Sequence, residues 1–251
     1  PSLRHKIVEH YDRWYGSKIH QDNVAITSGA SGAFVLSLLA AFDVGDEIAI
    51  MTPYYPAYIN TLKALGLKIN LLKGNVSNGF QPTLKILKEI KSNFKGLVIA
   101  SPANPTGSII NKEEIVKIAH WCKKKNIKII SDEIYHGIEF ESKSDTFFEY
   151  NNNAVIINSF SKYFNMTGWR IGWIVAPKKV IQTIEKLSMA LFLCPANLAQ
   201  KVALYTIDDY SILEKNIKIY RKNRDFLIEI FSKLGLNDYS PADGAFYLYL
   251  D

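Results

Sequence analysis

The densest group of reactive side chains lies between residues 159 and 170. Lys162 follows two serines, Ser159 and Ser161, and Arg170 comes eight residues after the lysine. A lysine set between buried segments can have a lowered pKa and act as a nucleophile. The planar guanidinium of an arginine suits a phosphate group. We therefore expect an amine nucleophile beside a phosphate-binding group in this part of the chain.

Three further segments carry polar or aromatic side chains just after apolar runs. The small residues of Thr27 to Ala33 lead into a helix whose N-terminal N–H groups can hold a phosphate, although a structural turn has the same composition. The segment Thr52 to Tyr58 supplies aromatic rings that can stack on a flat ligand or pack in the core. Asp132 follows a buried run and needs a cationic or N–H partner there, which a ligand or a cap can supply.

A regular alternation of elements must position these segments. Short apolar runs rich in Ile and Val alternate with amphipathic stretches, which is typical of parallel strands covered by helices. The predicted strands are Val24 to Thr27, Glu47 to Met51, Lys68 to Leu72, Gly96 to Ser101, Lys128 to Ser131, Ala154 to Ser159 and Arg170 to Ala176. The predicted helices are Ser31 to Phe42, Ala57 to Leu65, Thr83 to Ser92, Glu113 to Lys124 and Lys178 to Leu191. Ligands of such sheets bind beyond the carboxyl ends of the strands, so the polar segments are expected to meet at one edge.

The pattern changes after Ala196. A long helix is predicted from about Asp208 to Leu234, followed by a strand from Ala245 to Leu250. We therefore predict a large domain over residues 1–215, and a connecting helix with the start of a small domain over residues 216–251. Because the chain ends on an apolar strand, we expect it to be a fragment of a longer enzyme.

Composition indicates a packed globular protein. The chain has 251 residues, of which 48% are hydrophobic and 22% are charged. The net charge of +6 invites a nucleic-acid partner. However, the lysines of the segment 82–95 lie opposite its apolar residues on a helical wheel, and therefore on a solvated face. We expect no nucleic-acid partner.

The sequence also argues against a membrane protein, a secreted protein and a metalloenzyme. The longest nearly apolar run, Ala33 to Phe42, has ten residues, whereas a membrane-spanning helix needs about 20. Cys122 and Cys194 form no C-x-x-C motif, which favours a reducing compartment, so a cytoplasmic location is expected. The five histidines show no H-E-x-x-H spacing, so no metal site is expected.

Taken in chain order, the motifs resemble one family. Asn-Pro-Thr-Gly at 104–107, Asp-x-x-Tyr at 132–135 and Ser-x-Ser-Lys at 159–162, with Arg170 beyond, resemble the fold-type I pyridoxal-phosphate enzymes of the class I and II aminotransferases, the aspartate aminotransferase superfamily. The resemblance implies an α/β fold: a mostly parallel sheet with helices on both faces, the large domain of the type I transferases, and the start of a small C-terminal α+β domain. It also implies a homodimer with the site at its interface.

The resemblance implies a role for each site residue. Lys162 would hold pyridoxal 5'-phosphate as a Schiff base and move the substrate's α-proton, Asp132 would pair with the pyridinium nitrogen, and Tyr135 would bond the phenolic oxygen; these three are the expected catalytic residues. Asn104 would share the phenolic oxygen and Tyr55 would stack on the ring. The phosphate would be held by Gly29, Ala30, Ser31, Ser159, Ser161 and Arg170. The implied reaction is amino-group transfer between an L-amino acid and a 2-oxo acid. The arginine that binds the substrate α-carboxylate in the family, beyond a Gly-Ala-Phe-Tyr stretch like that at 244–247, has no match here.

Four alternatives stay open at the level of sequence. A C–S β-lyase or a synthase would use the same cofactor groups, and a non-catalytic regulatory domain would keep the same pocket. The S-x-x-K spacing from Ser159 to Lys162 is also that of serine acyl-enzymes, but the S-D-N and K-T-G motifs that follow it there are missing. The run Ile127 to Glu133 resembles a Walker B strand, but no Walker A motif accompanies it.

Overall fold

The computed structural model describes residues 2–250. Its strands are β1 (Val24–Thr27), β2 (Glu47–Thr52), β3 (Lys68–Lys73), β4 (Gly96–Ala100), β5 (Lys128–Asp132), β6 (Val155–Ser159) and β7 (Gly172–Val175). Its α-helices are α1 (Ser2–Tyr15), α2 (Gly29–Ala41), α3 (Pro56–Ala64), α4 (Leu84–Glu89), α5 (Lys112–Lys125), α6 (Phe147–Tyr150), α7 (Lys178–Leu191), α8 (Asn197–Thr206) and α9 (Tyr210–Lys233).

The strands form one seven-stranded sheet in the order β1-β7-β6-β5-β4-β2-β3. Strands β2 to β6 pair in parallel, and β7 runs antiparallel to its two neighbours, β1 and β6. All strands except β7 therefore point the same way. Their carboxyl ends, together with the start of β7, lie at one edge of the sheet, which is where ligands bind in α/β sheets.

Helices cover both faces of this sheet. In β5, Ile129 belongs to the apolar cluster that includes residues of α1, α5 and α8, while Ile130 belongs to the cluster on the opposite face with residues of α2, α3 and α7. Both side chains are fully buried. This two-sided burial explains why the central strands are apolar at nearly every position, and it confirms the predicted mostly parallel sheet between two helical layers.

Several predicted elements differ from the observed ones. Helix α1 was not predicted, and α4 ends at Glu89 because Ile90 is extended, with φ of −69° and ψ of 122°. Strand β7 begins two residues later than predicted, because Arg170 adopts the left-handed conformation, with φ of 49°. The predicted strand from Ala245 to Leu250 is wrong. Ala245 has φ of 56°, which interrupts an extended segment, and Leu250 forms an isolated bridge with Tyr239.

The predicted boundary at residue 215 falls within α9, the long helix expected to connect the two domains. The division into two domains stays a prediction. Within residues 2–250, no helix has both the length and the apolar character that crossing a membrane requires.

Candidate active site

A cavity of about 350 Å³ opens at the carboxyl edge of the sheet. The predicted cofactor-binding residues that line it are Ala30, Ser31, Tyr55, Asn104, Asp132, Tyr135, Ser161, Lys162 and Arg170. The structure therefore brings together residues from segments that are far apart in the sequence. Two predicted residues, Gly29 and Ser159, are not among the lining residues and lie directly behind them.

Asp132 lines the cavity from the last position of β5. Its Oδ2 accepts a hydrogen bond of 2.5 Å from the hydroxyl of Tyr58, and its Oδ1 accepts one of 3.2 Å from the N–H of Ile134. Burial raises the pKa of the Asp132 carboxyl, while these two hydrogen bonds and the positive charge of Lys162 act in the opposite direction. The carboxyl is thus held in a fixed orientation at the cavity wall.

The tyrosine beside Asp132 is positioned by the start of α3. Pro56 is the first residue of this helix, where its fixed φ and missing N–H are compatible with helical structure. Tyr58 lies within the first turn and is buried, with its ring 5.0 Å from Phe34 and 5.6 Å from Tyr55. Tyr55 precedes the helix and is 44% exposed, so its ring is free to contact a ligand in the cavity.

Lys162 is half-buried between two aromatic rings. Its Nζ lies 5.9 Å from the ring centroid of Tyr135 and 5.6 Å from that of Phe246. It follows β6 closely, so the end of a buried strand fixes its backbone. Its ammonium is close enough to lower the pKa of Asp132. The amine and the carboxyl therefore belong to the same site.

Tyr135 contributes a hydroxyl that stays protonated. Burial, followed by the hydrogen bond with Tyr247, raises the pKa of Tyr135 far above its ordinary value, while the Asn104 side chain acts to lower it. The hydroxyls of Tyr135 and Tyr247 lie 2.6 Å apart. The cavity thus holds a neutral phenolic hydroxyl next to a side-chain amide, and both can donate a hydrogen bond to an anionic oxygen.

The part of the cavity wall around Arg170 is suited to an anion. Helix α2 begins at Gly29, whose φ is +72°, and a Cβ placed there would lie 2.6 Å from Nη2 of Arg170. Nη1 of Arg170 donates to Oγ of Ser161 at 3.4 Å and to the carbonyl of Thr167 at 3.0 Å. A guanidinium, a hydroxyl and the N-terminus of a helix therefore meet at one place, which is how proteins hold phosphate groups.

Ser159 has a structural role in this arrangement. It is buried, its Oγ lies 2.8 Å from Oγ of Ser161, and it accepts the N–H of Ser161 at 2.9 Å. It therefore orients Ser161 from behind the cavity wall. This placement argues against the alternative in which Ser159 is the nucleophile of a serine acyl-enzyme.

The full chain, residues 1–251, matches the model of the family described as aminotransferase class I and II. The chain belongs to this family. It is 40% identical to the valine–pyruvate aminotransferase of Mycobacterium tuberculosis, with 100% of the chain and 66% of that protein covered. It is 34% identical to an aspartate aminotransferase of Sulfurisphaera tokodaii, with 98% of the chain and 63% of that protein covered.

Solved structures of the family agree with this fold. A crystal structure of an aminotransferase from Mycobacterium tuberculosis matches with a TM-score of 0.97 at 40% identity, over 100% of the chain and 66% of that structure. The Thermus thermophilus aspartate aminotransferase with maleate matches with a TM-score of 0.92 at 28% identity, over 99% of the chain and 66% of that structure. The chain therefore spans about two thirds of the length of the relatives it matches.

The class I and II aminotransferases use pyridoxal 5'-phosphate, and the residues of this cavity fit that cofactor. Because residue 29 is a glycine, the guanidinium of Arg170 can lie against the first turn of α2, where both can bind an anion. Any side chain at residue 29 would collide with Arg170. Asp132 and Lys162 supply the acid and the amine that a pyridine nitrogen and an aldehyde require. Within residues 2–250, no cluster of three or more His, Cys, Asp or Glu side chains is arranged to hold a metal ion.

Sequence reasoning assigned no role to two residues that contact the predicted catalytic groups. Tyr58 belongs to the aromatic segment 52–58, and Tyr247 closes the Gly-Ala-Phe-Tyr stretch at 244–247. Both line the cavity, and each hydroxyl meets a predicted catalytic residue. Their position in aromatic segments beside the motifs was a weak signal, because aromatic residues at such spacing pack in cores more often than they bind ligands.

Proposed function

We propose that this chain is the cofactor-binding part of a pyridoxal-phosphate-dependent enzyme that transfers an amino group between an L-amino acid and a 2-oxo acid. The observation that carries the proposal is the convergence in one cavity of Asp132, Lys162 and Arg170. The names of the relatives, valine–pyruvate aminotransferase and aspartate aminotransferase, support the same reaction class.

Lys162 and Asp132 carry the chemical step in this proposal. When bound, pyridoxal phosphate supplies a ring that accepts the electron pair left on the substrate Cα after deprotonation. Nζ of Lys162 would be the attachment point for the cofactor aldehyde and, once displaced by the substrate amine, would take the proton from the substrate Cα and deliver it to C4′ of the cofactor. Asp132 keeps the pyridine nitrogen protonated, because a carboxylate favours the charged form of a neighbouring base.

The remaining residues bind and orient the cofactor. Tyr135 and Asn104 would donate hydrogen bonds to its phenolic oxygen, and Tyr55 would stack against its ring. The phosphate would be held by Arg170, by the hydroxyls of Ser31 and Ser161 and by the backbone at Gly29 and Ala30, while Ser159 orients Ser161. These residues would hold the cofactor by its ring and its phosphate, with the amine of Lys162 in the same cavity for its aldehyde.

We extend the proposal to the protein's assembly and location. Several large apolar residues at the end of α7 and the start of α8 are exposed, among them Met189, Leu191, Leu193 and Leu198. Exposed large apolar side chains that are grouped in one segment are common at protein interfaces, which supports a homodimer. Cys122 and Cys194 both carry free thiols, which supports the cytoplasm as the proposed location.

Covalent labelling tests the proposal. The chain is incubated with pyridoxal phosphate, reduced with borohydride and mapped by peptide mass spectrometry. We expect a pyridoxyl group on Lys162, its loss in Lys162→Ala, and its retention in Lys123→Ala, a control at an exposed helical lysine. A pyridoxyl group distributed over surface lysines, with none at Lys162, would refute the proposal.

Product analysis separates the reaction types that share this cofactor. Single-turnover reactions with a panel of L-amino acids are assayed for 2-oxo acid and for ammonia. Conversion of the amino acid to its oxo acid, with nitrogen retained on the cofactor, is the expected result. Release of ammonia together with a thiol would instead assign a C–S β-lyase. Labelling at Lys162 without turnover of any amino acid would show that this part of the protein binds the cofactor without a complete substrate site.

A further inference from the structure

A second group of polar side chains lies outside the cavity lining and includes the residue that follows Tyr135. Its centre is His136, which is buried with 4% of its surface exposed. Nδ1 of His136 lies 2.6 Å from the hydroxyl of Tyr15, and its Nε2 lies 2.9 Å from the carbonyl oxygen of Ser101. Both ring nitrogens therefore have partners, although none of the three residues lines the cavity.

The partners fix where the proton of the imidazole resides. A backbone carbonyl can only accept, so Nε2 of His136 must carry the hydrogen that it donates to Ser101. Nδ1 is then an acceptor, and the hydroxyl of Tyr15 must donate to it. Burial lowers the pKa of His136 to about 3, so the ring is neutral near pH 7. The hydrogen-bond direction therefore runs from Tyr15 through His136 to Ser101.

Glu133 does not replace Tyr15 in this chain of hydrogen bonds. Its Oε1 accepts from the N–H of Phe147 at 3.0 Å, as well as from two hydroxyls, of Ser131 and Thr146. Its Oε2 has no hydrogen-bond partner among the described residues and lies 3.6 Å from Nδ1 of His136, beyond hydrogen-bonding distance. The short contact of His136 Nδ1 is thus the one with Tyr15.

This chain of hydrogen bonds joins three elements that shape one corner of the site. Tyr15 is the last residue of α1, and His136 directly follows Tyr135. Ser101 follows β4 and stands three residues before Asn104. Its Oγ also accepts the N–H of Ile110, which closes the loop that carries Asn104. The relative position of Asn104 and Tyr135 therefore depends on the ring that lies between their two loops.

We propose that Tyr15 and His136 are positioning residues that hold Tyr135 and Asn104 at the distance needed to bond one oxygen atom of the cofactor together. The inference rests on the proposed function, because that oxygen is the phenolic oxygen of pyridoxal phosphate. It gives helix α1 a specific role: Tyr15, the last residue of the helix, would position the hydrogen-bond donors Tyr135 and Asn104 without contacting the ligand.

The first test needs no cofactor. In the 15N-labelled chain, the imidazole of His136 is expected to show a protonated Nε2 and an unprotonated Nδ1 from pH 5 to pH 8. Tyr15→Phe should move the Nδ1 resonance, because it removes the donor, while Tyr11→Phe should leave it in place. Tyr11 is a matched control: it is a tyrosine of the same helix α1, but its hydroxyl accepts from Trp173 instead. A protonated Nδ1, or an Nδ1 resonance insensitive to Tyr15→Phe, would overturn the inference.

The second test reads the site directly. The lysine-linked cofactor loses a proton at a pH that its visible absorption reports, and donors at the phenolic oxygen lower that pH by stabilising the negative oxygen. In Tyr15→Phe and His136→Leu we expect this midpoint to rise by roughly 0.5–1 pH unit. The amide of His136→Gln can donate to Ser101 and accept from Tyr15, so this variant should return the midpoint most of the way to that of the unmodified chain. Tyr11→Phe should leave the midpoint unchanged.

The outcomes separate the inference from the proposed function. If the unmodified chain takes up pyridoxal phosphate at Lys162 but Tyr15→Phe and Tyr11→Phe have the same midpoint, the positioning role is wrong and the proposed function stands. A purely structural role would lower the melting temperature of the variants without moving the midpoint, and would also refute the inference. If the unmodified chain takes up no cofactor at Lys162, both fail together. Tyr15→Phe removes a single oxygen atom and keeps the ring that packs in the fold. The inference can therefore be tested with this variant alone if His136→Leu does not fold.

Discussion

The hydroxyl of Tyr58 donates a hydrogen bond of 2.5 Å to Oδ2 of Asp132. The two residues are 74 positions apart in the sequence, and both are buried. Burial, followed by the charge of Asp132, raises the pKa of Tyr58 well above its ordinary value, so the hydroxyl remains a donor. A helix on one face of the sheet thereby supports the charged form of the acid at the end of the central strand.

Tyr58→Phe should destabilise the charged form of the Asp132 carboxyl. Burial already raises the pKa of Asp132, and the lost hydrogen bond would raise it further. Hydrogen bonds to charged groups contribute about 1.5–3 kcal/mol, which corresponds to an upward shift of roughly one to two pH units. We expect the acid limb of the pH–rate profile for the half-reaction to move up by this amount. Tyr54→Phe, at a half-buried neighbour, should leave the limb in place, and equal profiles for the two variants would contradict the prediction.

Gly29→Ala should weaken cofactor binding at the phosphate end. The new methyl group would lie 2.6 Å from Nη2 of Arg170, and the backbone there has φ of +72°. Displacing the guanidinium should lower the affinity for pyridoxal phosphate by at least tenfold, or about 1.4 kcal/mol. Fluorescence titration measures the change.

A second glycine separates this contact from backbone strain. Gly235 has nearly the same conformation, with φ of +74°, but a Cβ there would meet no atom within 4 Å. Gly235→Ala should lower the stability by about 1–2 kcal/mol through its left-handed backbone alone, with unchanged cofactor affinity. A similar loss of affinity in both variants would contradict the role assigned to Gly29.

The stability of the chain should fall as the pH rises from 6.5 to 8. Burial raises the pKa of Glu133 to about 8, from an ordinary value of 4.5. Between these two pH values the folded chain therefore binds more protons than the unfolded chain. The contribution of Glu133 to the free energy of unfolding is fully present below pH 4.5 and is lost as the pH rises through about 8. Glu139, whose pKa burial raises to about 7, adds to the effect.

Urea unfolding at pH 6.5 and at pH 8 checks this dependence. One such group contributes a slope of up to about 1.4 kcal/mol per pH unit. The glutamine of Glu133→Gln cannot ionise, so the free energy of unfolding should depend much less on pH in this variant. The remaining slope is the contribution of Glu139. Glu149→Gln, at an exposed position, should keep the original slope. A slope unchanged by Glu133→Gln would show that Glu133 is ionised in the folded chain at both pH values.

Tyr247→Phe should remove the hydrogen bond that orients the hydroxyl of Tyr135. The two hydroxyls lie 2.6 Å apart, and the loss of one neutral hydrogen bond costs about 1 kcal/mol. We expect roughly fivefold weaker binding of pyridoxal phosphate, measured as its dissociation rate over its association rate. Tyr249→Phe is the matched control, because Tyr249 is half-buried and packs edge-on against Phe80, away from Tyr135. Equal affinity in both variants would contradict the contact.

The C-terminal part shows why some sequence predictions were wrong. The apolar segment from Ala245 to Leu250 has the composition of a strand, but strand formation depends on a neighbouring strand that completes the backbone hydrogen bonds. Here Ala245 is in the left-handed region and its N–H donates to the carbonyl of Ile138 instead. Helix α1 was missed although its buried residues Leu3, Ile7 and Tyr11 recur at helical spacing, so the local pattern alone could have found it.

The sequence by itself determined the seven strands of the sheet, most of the helices between them and the polar segments at the strand ends, because hydrophobic periodicity and the chemistry of each motif are local properties of the chain. It also placed Lys162, Asp132 and Arg170 at one edge, since strands that run in the same direction end on the same side. Only the tertiary structure decided which side chains complete that edge. Tyr58 meets Asp132 across 74 positions and Tyr15 meets His136 across 121, and such contacts depend on how helices pack over the sheet, which no local pattern encodes.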